Sequence, residues 1–218
     1  MSRVIVICEG ETEREFCKTL LSGYFACIGK YIEAPLIKHS HGGIVSWEKL
    51  KKQIETTLRK EGDAIVTLLI DYYGLNEKHA FPGWDNAEKI KDKTEHVSFM
   101  ESCMKQDIDD SLRYRFIPYL QLHEFEALLF CDVEIFKNIV PEKELVGLDE
   151  LQKVIDNNPN PELINTRKEN TPSHRLSRII KGYNKIVYGN LIAESIGLST
   201  IRTKCRRFNE WLEALEKA

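Results

Sequence analysis

The sequence predicts an α/β protein: a mainly parallel sheet flanked by helices, continued by a helical C-terminal extension. Three observations carry that reading. Apolar and β-branched runs recur at residues 3–8, 64–70 and 115–120. Segments of helical periodicity separate them, and strands alternating with helices of that length pack as parallel sheets covered on both faces. Beyond Pro141 the strand signals stop and helical ones take over. A chain of 218 residues forms one large domain or a domain with an appendage. The expected division is an α/β core over 1–140 and a helical extension over 141–218, packed on the core.

The first strand runs directly into acid, as Val4-Ile5-Val6-Ile7-Cys8-Glu9-Gly10-Glu11-Thr12-Glu13. Four β-branched residues in succession read as a buried parallel strand. Gly10 permits a sharp turn, and Thr12 with Glu15 reads as a capping box opening a helix over 13–21. Glu11 and Glu13 fit a solvated helix start, where carboxylates are favoured. Glu9 fits that account less well, because the end of a buried strand is a costly place for an unpaired charge. Open α/β sheets bind ligands at the carboxyl ends of their strands, which makes Glu9 a functional candidate.

A weaker strand is expected over 32–38, then a helix over 46–59. Ser46 would cap it, and Trp47, Leu50, Ile54 and Leu58 would form its buried stripe. The second strong strand ends Leu68-Leu69-Ile70-Asp71. Asp is poor in strands and common in the turns after them, so a turn-initiating Asp71 is the plain alternative to a functional one. Two neighbouring strands that both end in acid would bring Glu9 and Asp71 into one crevice. Such carboxylates repel unless a proton or cation lies between them. Mg²⁺ suits the task, since it takes one or two carboxylates and completes its octahedron with water or phosphate oxygens. The loop 72–85, with Gly74, Pro82 and Gly83, follows that strand directly, a position where loops carry function. A helix is expected over 87–111.

After the third strand comes Leu122-His123-Glu124-Phe125-Glu126-Ala127-Leu128-Leu129-Phe130, read as a helix. Glu124 and Glu126 then fall in rows that are otherwise apolar, and each needs a partner: a lysine, a backbone amide at a helix start, or a metal. His123 at the junction is a candidate ligand, proton carrier or capping residue. Asn157-Asn158-Pro159-Asn160-Pro161 breaks the chain. Helices follow over 172–181, 190–196 and 199–216. The last carries Ile201, Cys205, Phe208, Leu212 and Leu215 on one face.

Hydrophobic residues at 42% supply a core, and 30% charged residues keep the surface polar. No apolar run reaches membrane-spanning length and the N-terminus lacks a signal-peptide pattern, so a cytoplasmic protein is expected. Six cysteines without CxxC pairing read as small buried side chains rather than zinc ligands or disulfides. Neither a Walker A sequence nor GxGxxG occurs, which argues against an autonomous nucleotide-binding loop. From residue 167 onward there are 11 Lys+Arg against 5 Asp+Glu, a balance of +6; the rest carries 20 against 29, a balance of −9. That asymmetry suits a metal centre beside a polyanion-binding surface, and equally a basic helical tail resting on an acidic body.

The strand-Glu-Gly-x-Thr-Glu pattern followed by strand-Asp resembles the Toprim domain of topoisomerases, bacterial primases and related nucleases. Over nearly its whole length the chain more closely resembles the Toprim-like family catalogued as domain of unknown function 4276. The resemblance rests on Cys8 to Glu13, on Ile70-Asp71-Tyr72-Tyr73-Gly74-Leu75 with Phe81-Pro82-Gly83, and on Gln121 to Phe130. It continues through Thr171-Pro172-Ser173, Lys181-Gly182-Tyr183 and Leu191 to Leu198. It implies a metal-dependent nuclease or phosphodiesterase acting on DNA or RNA, of a defence-associated type. It implies Glu9 as general acid/base or as an aid to metal binding, and Asp71 as ligand of Mg²⁺ or Mn²⁺; Glu9 or His123 would move the proton of the attacking water. Tyr73 stands where Toprim enzymes carry a second metal-binding Asp, so Glu126 or Glu124 would have to supply that ligand. Arg167, Lys168, Arg175, Arg178, Lys181, Arg202, Lys204, Arg206 and Arg207 would grip flanking phosphates, although a solvated face is the plainer account of the last four; Tyr72 and Tyr73 could stack on a base, although buried aromatics beside a strand are commoner. The alternative is a non-catalytic Toprim-like subunit that docks on, or senses for, a partner ATPase.

Overall fold

The structure, a computed structural model, describes residues 2–38, 43–164 and 168–218. Five parallel strands form its sheet: β1 (Ser2–Cys8), β2 (Lys30–Glu33), β3 (Ile65–Asp71), β4 (Phe116–Ile117) and β5 (Leu120–Gln121). The order is β2-β1-β3-β4, with β5 also paired to β3. Val4 to Cys8 and Val66 to Asp71 are buried without a break, the pattern of strands covered on both faces. The expected single strand over 115–120 is two short ones because Pro118 has no N–H to give the ladder. The weak strand lies slightly earlier than expected, and Leu36 only bridges to Cys8.

Helices α1 (Glu11–Phe16) and α2 (Ser22–Cys27) flank one π-helical turn, Cys17–Leu21. The capping box differs from the expected Thr12/Glu15 pair. Gly10 is the N-cap, in an extended conformation, and the buried Glu13 reaches back to accept from the Gly10 amide at 3.0 Å. Helix α3 (Trp47–Lys60) buries Trp47, Leu50, Ile54 and Leu58 as the periodicity requires. It also buries Gln53, which accepts from Lys38 N at 2.8 Å and donates to Leu36 O at 3.0 Å, fixing the segment beside the end of β1. The helix expected over 87–111 is shorter, α5 (Lys93–Asp107), and is preceded by a separate short helix, α4 (Trp84–Ala87). Asp92 starts α5 by accepting from Glu95 N, so a side-chain cap rather than periodicity sets the boundary.

The buried Arg115 guanidinium donates to three main-chain carbonyls at the end of α3 and just beyond: Leu58 at 2.7 Å, Glu61 at 2.7 Å and Ala64 at 3.1 Å. Carbonyls at a helix end have no partner within the helix. Arg115→Met should therefore lower unfolding stability by about 3 kcal/mol in urea titrations. An unchanged midpoint would mean that water satisfies those carbonyls equally well.

Later in the chain come α6 (Val133–Ile139), α7 (Leu148–Asn157), α8 (Pro172–Ile179), α9 (Lys185–Ile196), α10 (Leu198–Lys204) and α11 (Arg206–Lys217). The segment expected as a helix over 122–130 is instead a 3₁₀ helix, Phe125–Leu129. His123 has φ of 68° and Glu124 is extended, so no α-helix can start there. Helix α9 begins earlier than expected because Asn184 caps it through Val187 N at 3.0 Å. The expected last helix breaks at Cys205, whose backbone is extended. A new helix starts there because the fully buried Glu162 carboxylate accepts from Arg207 N at 2.8 Å and Phe208 N at 3.1 Å. The apolar stripe survives the break, with Ile201, Cys205, Phe208, Leu212 and Leu215 all buried.

Contacts divide the chain into two compact units, Met1–Leu122 with Glu213–Ala218, and His123–Leu212. The changeover thus falls at Leu122–His123, ahead of residue 140. In the first unit, Tyr24 Oη donates to Glu216 and Lys30 Nζ to the carbonyls of Leu215 and Ala218, tying down the C-terminus. In the second, the 3₁₀ helix packs on α8 and α9, and α6 on α7 and α9. Gly147 lies so close to Ile179 that a Cβ there would meet its Cα at 2.7 Å. The six cysteines are free thiols, and four of them are buried. Among the described residues no helix is long and apolar enough to cross a membrane.

Candidate functional site

In the first unit the site grows from the register of β1 on β3. Cys8 lies opposite Leu69, and Glu9 N continues the ladder by donating to Leu69 O at 3.1 Å. On the other side of β1, Cys8 N donates to Pro35 O and Ile37 N to Cys8 O. The chain therefore leaves the strand at one defined point, and the Gly10 cap turns it into α1. From there the Glu9 carboxylate reaches across: its Oε2 accepts from the Asp71 amide at 3.1 Å. Asp71 itself is buried, at the last position of β3. Glu9, just past the end of β1, is thus held by its side chain to the main chain of Asp71 at the end of β3.

The neighbours of that pair have other duties. Glu13 is committed to the helix cap, and Glu11 pairs with Arg14 on the surface. Tyr72 is half-buried, its hydroxyl 2.9 Å from His96 Nε2 and its ring 5.8 Å from Lys93 Nζ. Burial pushes the Tyr72 hydroxyl up to about 12, so it stays protonated. Burial likewise lowers the His96 imidazole, with Lys93 acting in the same direction. Tyr73 is 39% exposed and so is the tyrosine of the two with a ring open to a ligand.

In the second unit the three junction residues are buried. His123 adopts a left-handed backbone, which costs a non-glycine residue about 1–2 kcal/mol. Glu124 has taken a helix start as its partner: Oε2 accepts from Ser173 N at 2.8 Å and Oε1 from Ser173 Oγ at 3.0 Å, at the first turn of α8. There it offsets the positive end of the helix. Glu126, with no exposed surface, lies 3.3 Å from Lys185 Nζ. Tyr183 stands nearby; burial above all, then the charges of Glu126 and Glu124, raises its hydroxyl far beyond the normal tyrosine range. Ser173 stood out in the sequence only as part of the Thr171-Pro172-Ser173 motif, not as a partner of Glu124, and Lys185 did not stand out. The buried carboxylates signalled that partners of this kind were needed, but spacing did not say which.

The basic residues are dispersed. Arg167 and the side chain of Lys168 lie outside the described residues. Arg178 is held by Glu150 at 2.7 Å and by the Glu169 carbonyl at 2.6 Å. Arg175 lies 3.4 Å from Glu150 and donates to Asn170 O. Arg206 pairs with Glu210, Arg202 donates to Asn209, and Arg207 is buried beside Glu162. Lys181 and Lys204 are exposed and form no ion pair among the described residues.

Glu9 and Asp71 suffice as donors for a hard divalent ion, which needs only one or two carboxylates and fills its remaining positions with water or phosphate. Among the described residues no group of three or more His, Cys, Asp or Glu side chains is arranged to hold a metal. A site centred on Glu9 and Asp71 would thus be solvent-rich and completed by its substrate.

These features define an α/β protein with an acidic pair at the carboxyl ends of two central parallel strands. The chain belongs to the family described as a domain of unknown function, DUF4276, whose profile matches residues 8–216. No curated protein and no solved structure matches it.

Proposed function

We propose that this protein is a metal-dependent phosphodiesterase acting on nucleic acid, of Toprim-like type, with Glu9 and Asp71 at its centre. The observation that carries the reading is the 3.1 Å hydrogen bond from the Asp71 amide to Glu9 Oε2. It fixes the Glu9 carboxylate against the backbone of Asp71, at a sheet position where α/β folds bind ligands. When bound, Mg²⁺ or Mn²⁺ would neutralise a scissile phosphate and stabilise the charge developing on its oxygens. Asp71, fixed at the end of a buried strand, is the anchoring ligand. Glu9, oriented by the amide, takes up the proton of the attacking water. His123, Glu124 and Glu126 belong to the second unit, where Ser173 and Lys185 meet the two glutamates, and take no part in this centre.

The second reading, a non-catalytic subunit docking on a partner ATPase, is favoured by two specific contacts. Both Glu124 oxygens are engaged by Ser173, and Glu126 faces Lys185. Tyr73, in place of a second aspartate, points the same way.

Mn²⁺ anomalous scattering from soaked crystals separates the two. A peak beside Glu9 and Asp71 that disappears in Asp71→Asn is the expected result. Crystals of the native protein that show no such peak, at Mn²⁺ concentrations saturating for a carboxylate pair, would leave the docking reading in place.

A further inference from the structure

The geometry points to a phosphate-binding opening in the second unit, remote in sequence from the acidic pair, that takes one phosphodiester of a nucleic-acid strand. The proposal rests on the nucleic-acid reading above, and assigns that substrate a point of attachment. The opening has a volume of about 500 Å³ and is lined by Lys143, Glu144, Lys181, Gly182 and Tyr188. It lies between two turns joined through their backbones, since Lys181 N donates to Glu144 O at 2.8 Å. That bond places two lysines from distant parts of the sequence at one rim.

These two lysines differ from the arginines of the second unit that carboxylates hold. Arg175, Arg178 and Arg206 are engaged with carboxylates. Among the described residues, neither Lys143 nor Lys181 forms an ion pair. Glu144 contributes the opposing charge, and its Oε2 is already occupied as acceptor for the Tyr188 hydroxyl. Two ammonium groups and one carboxylate leave a single net positive charge, the complement of one phosphodiester. Gly182, at φ of 75°, supplies a turn that a side chain would strain. Nothing lies within 4 Å of where its Cβ would stand, and its amide donates to no described residue. Two flexible ammonium groups beside an open concavity are donors that phosphate oxygens take. Tyr188 closes one wall; its ring stacks on Tyr183 at 6.3 Å between centroids and 22° between planes, which holds it in place.

The test is a fluorescence-anisotropy titration with a short labelled single-stranded DNA, in chelator, over a range of salt concentrations. Lys143→Gln with Lys181→Gln should weaken binding about tenfold and reduce the salt slope by about 0.7, the value for one phosphate on a single strand. Glu144→Gln keeps an acceptor for Tyr188 but removes the opposing charge, so it should tighten binding. Lys49→Gln with Lys52→Gln removes the same charge from exposed positions of α3 and should do neither. A lysine pair no more sensitive than that control overturns the proposal. So does adenosine monophosphate competing as strongly as the strand, which would mark a small phosphate-ester site. Because chelator is present, a lysine-dependent affinity stands even if Glu9 and Asp71 hold no metal. A native protein that takes up Mn²⁺ yet binds no DNA overturns the opening and leaves the metal centre intact.

Discussion

Asp71→Asn should lower Mn²⁺-dependent cleavage of an oligonucleotide by about 10³-fold, the scale on which loss of a preorganised charge-stabilising group is felt. Asparagine preserves the size and one oxygen of the side chain, and the main-chain bond from residue 71 to Glu9 Oε2 does not involve the substituted atoms. Unfolding stability in chelator should therefore remain within about 1 kcal/mol of the native value. Glu9→Gln should lower cleavage comparably, and the double variant little further, because groups acting as one unit are not additive. Cleavage at the native rate in Asp71→Asn would remove this aspartate from the chemistry. A large loss of stability would instead make Asp71 a structural residue, and the two outcomes are read from the same preparation.

The second large effect is expected in the other unit. Glu162→Ala should cost about 3 kcal/mol, because the amides of Arg207 and Phe208 lose their buried acceptor at the start of α11. Glu162 should also make stability depend on pH. Burial is the largest influence on its carboxyl and raises its pKa above the ordinary 4.5; the two amide hydrogen bonds and Arg207 oppose that without reversing it. A carboxyl that holds its proton more tightly folded than unfolded contributes stability that is fully present below the unfolded value. That contribution is lost as pH rises through the folded value. The native protein should thus lose stability relative to Glu162→Gln as pH climbs from 4.5 toward neutrality. Urea unfolding of both proteins across that interval measures it, and parallel curves would show that Glu162 titrates alike in both states.

Much of the α/β framework is legible in the chain because each strong strand is a local run of apolar residues, and α3 repeats its stripe over 14 residues. What misleads is where a local signal competes with a remote partner. Thr12 and Glu15 have capping-box spacing, yet Glu13 and Gly10 form the cap, because the end of β1 sets where the turn begins. The periodicity of 122–130 suits a helix, but the positive φ of His123 prevents one from starting. The stripe from Ile201 to Leu215 reads as one helix, yet Glu162, some 45 residues from Arg207, caps a second start within it.

The order of apolar and polar residues determined that there would be a parallel sheet, that two of its strands would end in acid, and that helices would follow. It did so because strand and helix periodicities are local properties of the chain. Only the tertiary structure decided what each buried acid meets. Glu9 bonds the Asp71 amide, Glu124 holds the start of α8, Glu126 faces Lys185, and Glu162 opens α11. A charge taken from water must be met by a partner, but that partner can come from anywhere in the chain, and spacing in the sequence does not name it.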